Sequence, residues 1–102
     1  MTLQELSDQL NQLDAQLNNP ATIANAKEYN RLVKERAAVA DLISLATRLE
    51  KIESQLTYID QLLSDNTDPD IIALATEEQQ QLLIEKTTLS QQLEEALHPA
   101  DP

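Results

Sequence analysis

The fold is decided by residues 42–63, which read LISLATRLEKIESQLTYIDQLL. Leucine and isoleucine recur here at alternating steps of three and four residues, with mostly polar side chains between them. This spacing places the apolar side chains on one stripe of an α-helix, where a second helix can cover them. The stretch therefore predicts a long helix with one buried face. Its apolar positions are Leu42, Leu45, Leu49, Ile52, Leu56, Ile59 and Leu63.

Apolar residues at helical spacing also occur on both sides of this stretch. The N-terminal set is Leu3, Leu6, Leu10, Leu13 and Leu17, and the C-terminal set is Ala75, Leu82, Leu89 and Ala96. Gln79 and Lys86 interrupt the C-terminal set, and polar residues at such positions weaken a coil while fixing its register. Three long helices are therefore expected, the last of them less tightly packed than the first.

Capping residues and prolines set the expected helix ends. Thr2 can cap the first helix, Asn18-Asn19-Pro20 ends it, and Asp68 followed by Pro69 starts the last one. The predicted helices span about 3–17, 22–64 and 69–97. They form one helical bundle over residues 1–97, and residues 98–102 form an exit linker.

The predicted fold class is all-α: an elongated antiparallel three-helix bundle, or coiled-coil hairpin, with a long central helix. Short connections make each flanking helix fold back on the central one. Ile43, Ala46, Leu49 and Ile52 follow one another at three steps of three, which rotates the apolar face of that helix. Either the central helix changes packing partner here, or it kinks or breaks near residues 40–46.

Composition argues against catalysis. The chain has no glycine and no cysteine, so glycine-rich phosphate loops, nucleophile elbows and thiolate metal sites are excluded. His98 is the single histidine, and it is expected to be exposed at a helix end. The pairs Glu77-Glu78 and Glu94-Glu95 diverge around a helix and are expected to be solvated. The sequence thus predicts no enzyme, no catalytic, cofactor-binding or metal-binding residue, and no cofactor.

Charge is unevenly distributed along the chain, whose net value is −11. Residues 27–51 carry six basic side chains against four acidic ones, whereas residues 52–102 carry eleven acidic side chains against Lys86 alone. Such an acidic chain is not expected to bind DNA by itself. No apolar run approaches the ~20 residues that cross a bilayer, so the expectation is a soluble cytoplasmic protein without membrane contact.

The basic residues of the middle segment form the one candidate binding site. Lys27, Arg31 and Lys34 are spaced by four and three, which places them on one helix face. That face is either a solubilising surface with an Arg31-Glu35 pair or a small docking stripe for a partner. Arg36 differs because it lies within an apolar stripe at helical spacing, where it is expected to fix the register by reaching an acid such as Glu5 on the first helix. The apolar members of this stripe are Leu32, Val39, Ile43 and Ala46.

Several short motifs, in order, resemble one known family. They are Leu17-Asn18-Asn19-Pro20, the helix Glu28-Tyr29-Asn30-Arg31-Leu32-Val33-Lys34-Glu35, the start Asp68-Pro69-Asp70, the pair Glu77-Glu78, and the terminal Leu97-His98-Pro99-Ala100-Asp101-Pro102. In this order they resemble the N-terminal helical domain of bacterial type 1 class I peptide chain release factors. The codon-reading domain and the domain with a Gly-Gly-Gln loop are not found in this sequence.

The resemblance implies an accessory domain, as a fragment or a truncated relative, that acts in translation termination on the ribosome without hydrolysing anything. It implies contact with the stalk base of the large ribosomal subunit, and with the class II release GTPase and the methyltransferase that modifies the release-factor glutamine. Lys27, Arg31 and Lys34 would then touch ribosomal RNA. The alternative is a free-standing antiparallel coiled-coil adaptor or oligomerisation module, and self-association is left open.

Overall fold

The computed structural model describes residues 2–98, and every regular element among them is an α-helix. The helices are α1 (Leu3–Leu17), α2 (Pro20–Ile23), α3 (Ala26–Asp65) and α4 (Pro69–Leu97). The predicted all-α class is therefore confirmed. The expected exit linker falls largely on residues 99–102, which lie outside the described residues.

The starts of α1 and α4 follow the capping residues in the sequence. The hydroxyl of Thr2 accepts a hydrogen bond from the Glu5 amide at 3.1 Å. The carboxylate of Asp68 accepts one from the Asp70 amide at 2.9 Å, with Pro69 at the first helical position. Each cap satisfies an amide that has no partner inside its helix.

The predicted start of the second long helix, near residue 22, was wrong. Pro20 does not only end α1, because it also begins a separate short helix. The side chain of Asn19 accepts a hydrogen bond from the Ala21 amide at 3.0 Å and caps α2. Asn25 then accepts one from the Glu28 amide at 3.2 Å, so a new helix begins at Ala26 and not at Thr22. Two caps within seven residues divide the chain here.

The long helix α3 is continuous over its 40 residues and includes positions 40–46 without interruption. The alternative of a broken helix is therefore wrong. It ends at Asp65, one residue beyond the prediction. The backbone N–H and the side-chain amide of Asn66 both donate hydrogen bonds to the Leu62 carbonyl, at 3.1 Å and 2.9 Å, which closes this end of the helix.

The chain divides into two compact units, Met1–Ala46 and Thr47–Pro102, called unit 1 and unit 2. In unit 1, leucines of α1 pack against the first part of α3. The buried residues of this core are Leu6, Leu13, Leu32 and Val39, with Leu10, Leu17, Leu42 and Ile43 partly buried around them. These are apolar positions that the three-four spacing predicts.

In unit 2, the second part of α3 packs against α4. The buried residues of this core are Ile52, Leu56, Ile59, Ala75 and Leu82, with Leu62, Leu63 and Leu89 packed on them. Ile52 is completely inaccessible to solvent. The change of packing partner along α3 thus falls within the three-residue steps from Ile43 to Ile52, which the sequence pattern indicated.

Polar contacts in unit 2 show the direction of its two helices. Arg48 donates to Glu85 at 2.9 Å, and farther along α3 Asp60 accepts from Gln79 at 2.8 Å. The later residue of α3 therefore contacts the earlier residue of α4, which is the order expected for an antiparallel pair of helices. The single bundle over residues 1–97, with all three long helices antiparallel, stays a prediction.

Candidate docking surface

The predicted basic stripe lies in unit 1, on the first two turns and a half of α3. Lys27, Arg31 and Lys34 are all exposed, while Leu32 on the same helix is buried. The buried side of α3 is fixed by its contact with α1, so the three cations face solvent. The structure therefore brings the predicted site residues together on one accessible surface.

Arg31 is held between two carboxylates of its own helix. Its guanidinium donates to Glu28 through two nitrogens and to Glu35 at 3.3 Å, which confirms the expected Arg31-Glu35 pair. The hydrogen bond from Arg31 lowers the pKa of the Glu28 carboxyl below its ordinary value. The same contact raises the pKa of the Arg31 guanidinium. Sequence reasoning missed Glu28, although its spacing of three from Arg31 is a signal for such a pair.

The two lysines of the stripe differ from the arginine between them. Among residues 2–98, neither Lys27 nor Lys34 has a carboxylate within the 4.0 Å that defines an ion pair. With Glu28 and Glu35 included, three positive and two negative charges give the surface a net charge of +1. Any attraction for an anion therefore depends mainly on the lysines.

Arg36 pairs with an acidic residue of α1, as expected, but that residue is Asp14 and not Glu5. Its Nε donates to the Asp14 carboxylate, and the contact raises the pKa of the guanidinium. Asp14 follows Leu13, which packs in the same core as Leu32, whereas Glu5 lies in the first turn of α1. Packing in unit 1 thus presents the end of α1, and not its start, to Arg36.

The other titratable groups singled out in the sequence lie on the surface. His98 is exposed, with its Nε2 3.7 Å from a Glu94 carboxylate oxygen, and the two acidic pairs are exposed as well. Within the described part of the chain, no group of three or more acidic, histidine or cysteine side chains could hold a metal ion. Nor does any helix in that part have the length and apolarity to cross a membrane.

Helices that bury aliphatic seams and expose charged faces define a helical domain of the coiled-coil type. A family model described as the PCRF domain matches residues 6–102. The chain therefore belongs to the PCRF domain family, and the resemblance stated from the sequence motifs is confirmed.

Individual relatives agree with this assignment. The chain is 30% identical over 100 residues to peptide chain release factor 1 of Enterococcus faecalis, a match that covers 98% of this chain. It is 32% identical to peptide chain release factor 1 of Deinococcus deserti and 29% identical to that of Syntrophobacter fumaroxidans, again over 98% of this chain. The chain spans 28%, 26% and 28% of the lengths of these relatives, respectively. No solved structure matches it.

Proposed function

We propose that this chain acts in translation termination, as a ribosome-docking accessory domain that performs no hydrolysis itself. The match of the PCRF domain over residues 6–102 is the observation that carries the proposal, since the named relatives are peptide chain release factors. The helical surfaces support it because they offer charged faces for binding, while the buried cores in residues 2–98 are built from leucine, isoleucine, valine and alanine.

Charge suggests how such docking would be divided between the two units. The lysines of unit 1 suit RNA phosphates, because attraction between basic side chains and phosphates supplies nearly all sequence-independent binding to nucleic acids. The acidic residues of unit 2 suit basic proteins instead. We propose the stalk base of the large subunit as the contact, with the class II release GTPase and the release-factor glutamine methyltransferase as further partners. Resemblance to the family is the support for these three partners.

A charge-reversal variant tests the basic surface. The double change Lys27→Glu and Lys34→Glu should reduce co-sedimentation of the chain with 50S subunits by at least about tenfold, because two phosphate contacts become repulsive. The loss should shrink as salt is raised. Arg31 is left intact, so its pairs with Glu28 and Glu35 continue to support the helix.

The matched control is the double change Lys51→Glu and Lys86→Glu in unit 2, which alters net charge by the same amount. It should reduce co-sedimentation much less. Equal losses in both variants would reject a specific basic surface, and undiminished binding of the first variant would reject any role for the lysines. Sedimentation of the free chain as a stable dimer, without binding to 50S, would favour the adaptor alternative.

A further inference from the structure

A groove of about 420 Å³ runs along one side of the α3-α4 pair in unit 2. Both helices contribute to its wall, and the groove belongs to neither the basic stripe nor the Arg36 contact. The lining residues that matter are Lys51, Gln55, Tyr58, Ile59, Leu62 and Glu78.

The floor of the groove is apolar and one rim is aromatic. Ile59 is buried in the core of unit 2 and Leu62 packs against that core, so core contacts hold both side chains in the floor. Tyr58 is 65% exposed, although it is the largest side chain of this part of α3. An exposed ring beside a rigid aliphatic floor can hold the stem of a long side chain and stack on a planar cation.

Two acceptor groups flank this floor. The side-chain oxygen of Gln55 is buried and has no hydrogen-bond donor among residues 2–98. An unpaired buried acceptor is unfavourable, and rotation of the side chain toward a donor in the groove would relieve it. The carboxylate of Glu78 is exposed on the opposite helix and completes a pair of acceptors.

The register of the two helices places Glu78 and Tyr58 apart from Lys51, whereas Gln55 lies one helical turn from that lysine. The hydrogen bond from Gln79 to Asp60 sets the neighbouring Glu78 level with the end of α3 that carries Tyr58. Lys51 lies seven residues before Tyr58, which is ~10 Å along the helix axis. A cation bound beside Tyr58 and Glu78 would therefore avoid the ammonium group of Lys51.

The charge of unit 2 selects the kind of partner. Residues 47–102 carry twelve acidic side chains against three lysines and arginines, a net charge of −9. A second copy of this chain would bring the same charge and be repelled, and so would a nucleic acid. A basic protein is the partner that this charge attracts.

We propose that the groove docks an arginine side chain of a basic protein partner. Its aliphatic stem lies on Leu62 and Ile59, its guanidinium stacks on Tyr58, and its N–H groups donate to Glu78 and to Gln55. Arginine fits better than lysine because a planar fork can stack and donate to two acceptors at once. The proposal goes beyond the termination role and does not depend on it.

The test uses n-butylguanidinium as the probe and the complete 102-residue chain as the protein. In an NMR titration, the side-chain amide of Gln55 and the ring of Tyr58 should shift together and reach saturation. Guanidinium without the alkyl stem, and n-butanol without the charge, should bind at least about fivefold more weakly, because each lacks one of the two contacts. n-Butylammonium should fall between these controls and the probe.

Variants locate the site. Glu78→Gln should weaken probe binding at least about threefold, whereas Glu77→Gln, the same change on the adjacent exposed residue, should leave it unaltered. Gln55→Met should weaken binding while raising the Tm, because it removes the unpaired acceptor and keeps the length of the side chain.

Three outcomes would overturn the proposal. Equal weakening by Glu77→Gln and Glu78→Gln would mean attraction to overall charge alone. Unchanged affinity in both Glu78→Gln and Gln55→Met would mean that the acceptors take no part. If a short oligouridylate shifted the Gln55 and Tyr58 resonances and n-butylguanidinium did not, the groove would be assigned to nucleic acid. None of these results depends on ribosome binding, so failure here and failure of the termination role are distinguishable.

Discussion

At the scale of single residues, the charged pairs of this protein fix the positions of side chains but contribute little to the stability of the fold. The side chains of Arg31, Glu28 and Glu35 are 60%, 42% and 41% exposed, and those of Arg36 and Asp14 are each 42% exposed. Pairs in such contact with water contribute little to the free energy of unfolding. Arg36 is best understood as a register device for α1 against α3, since slippage of one turn would separate it from Asp14.

Titration of Glu28 tests the contact with Arg31. The variant Arg31→Gln should raise the pKa of Glu28 toward its ordinary value, because the hydrogen bond that favours the carboxylate is removed. In the wild type, the pKa is depressed, so the stabilisation is present above the ordinary pKa and is lost as pH falls through the folded value. NMR titration of the Glu28 carboxyl carbon measures this directly.

The control for that titration is Arg36→Gln, which removes a guanidinium from the same helix without touching Glu28. It should leave the Glu28 midpoint unaltered. If the two variants moved the midpoint equally, the shift would come from general charge and not from the hydrogen bond.

At the scale of elements, the sequence pattern accounts for most helices and for their cores. Leucine spacing predicted α1, the buried seam of α3 and the position of α4, because these depend on period and on local caps. It did not predict α2, because Asn19-Pro20 was interpreted as a helix end although the same pair also starts a helix. The groove around Gln55 and Tyr58 escaped notice because it depends on the register of α3 against α4.

Asn25 is the residue that separates α2 from α3, and its removal should be measurable. Asn25→Ala deletes the cap on the Glu28 amide and should lower the free energy of unfolding by roughly 0.5–2 kcal/mol. Urea denaturation followed by circular dichroism measures the change.

Asn30→Ala is the matched control, because Asn30 is exposed within α3 and alanine favours the helix more than asparagine does. It should leave stability unchanged or raise it slightly. A loss as large as that of Asn25→Ala would show that the two positions act through something other than capping.

At the scale of the whole molecule, stability is divided between two separate aliphatic cores. The core of unit 1 contains Leu13 and that of unit 2 contains Leu82, and neither core cluster includes residues of the other. Because each core is small, the truncation of one buried leucine removes a large part of the packing in its own unit.

Hydrogen exchange should show this division. Leu13→Ala should lower amide protection in residues 3–43 by roughly 2–5 kcal/mol, with a much smaller effect on residues 52–89. Leu82→Ala should give the reverse pattern. Comparable losses throughout the chain in both variants would instead show that the two units unfold as one cooperative body.

The placement of the aromatic residues has a practical consequence. The chain has no tryptophan or phenylalanine, and its two tyrosines are divided between the units, with Tyr29 in unit 1 and Tyr58 in unit 2. Both rings are more than one-third exposed, so neither is a core residue. Replacing either tyrosine leaves a single natural fluorophore. The fluorescence of the variant then reports on the unit that contains the remaining tyrosine.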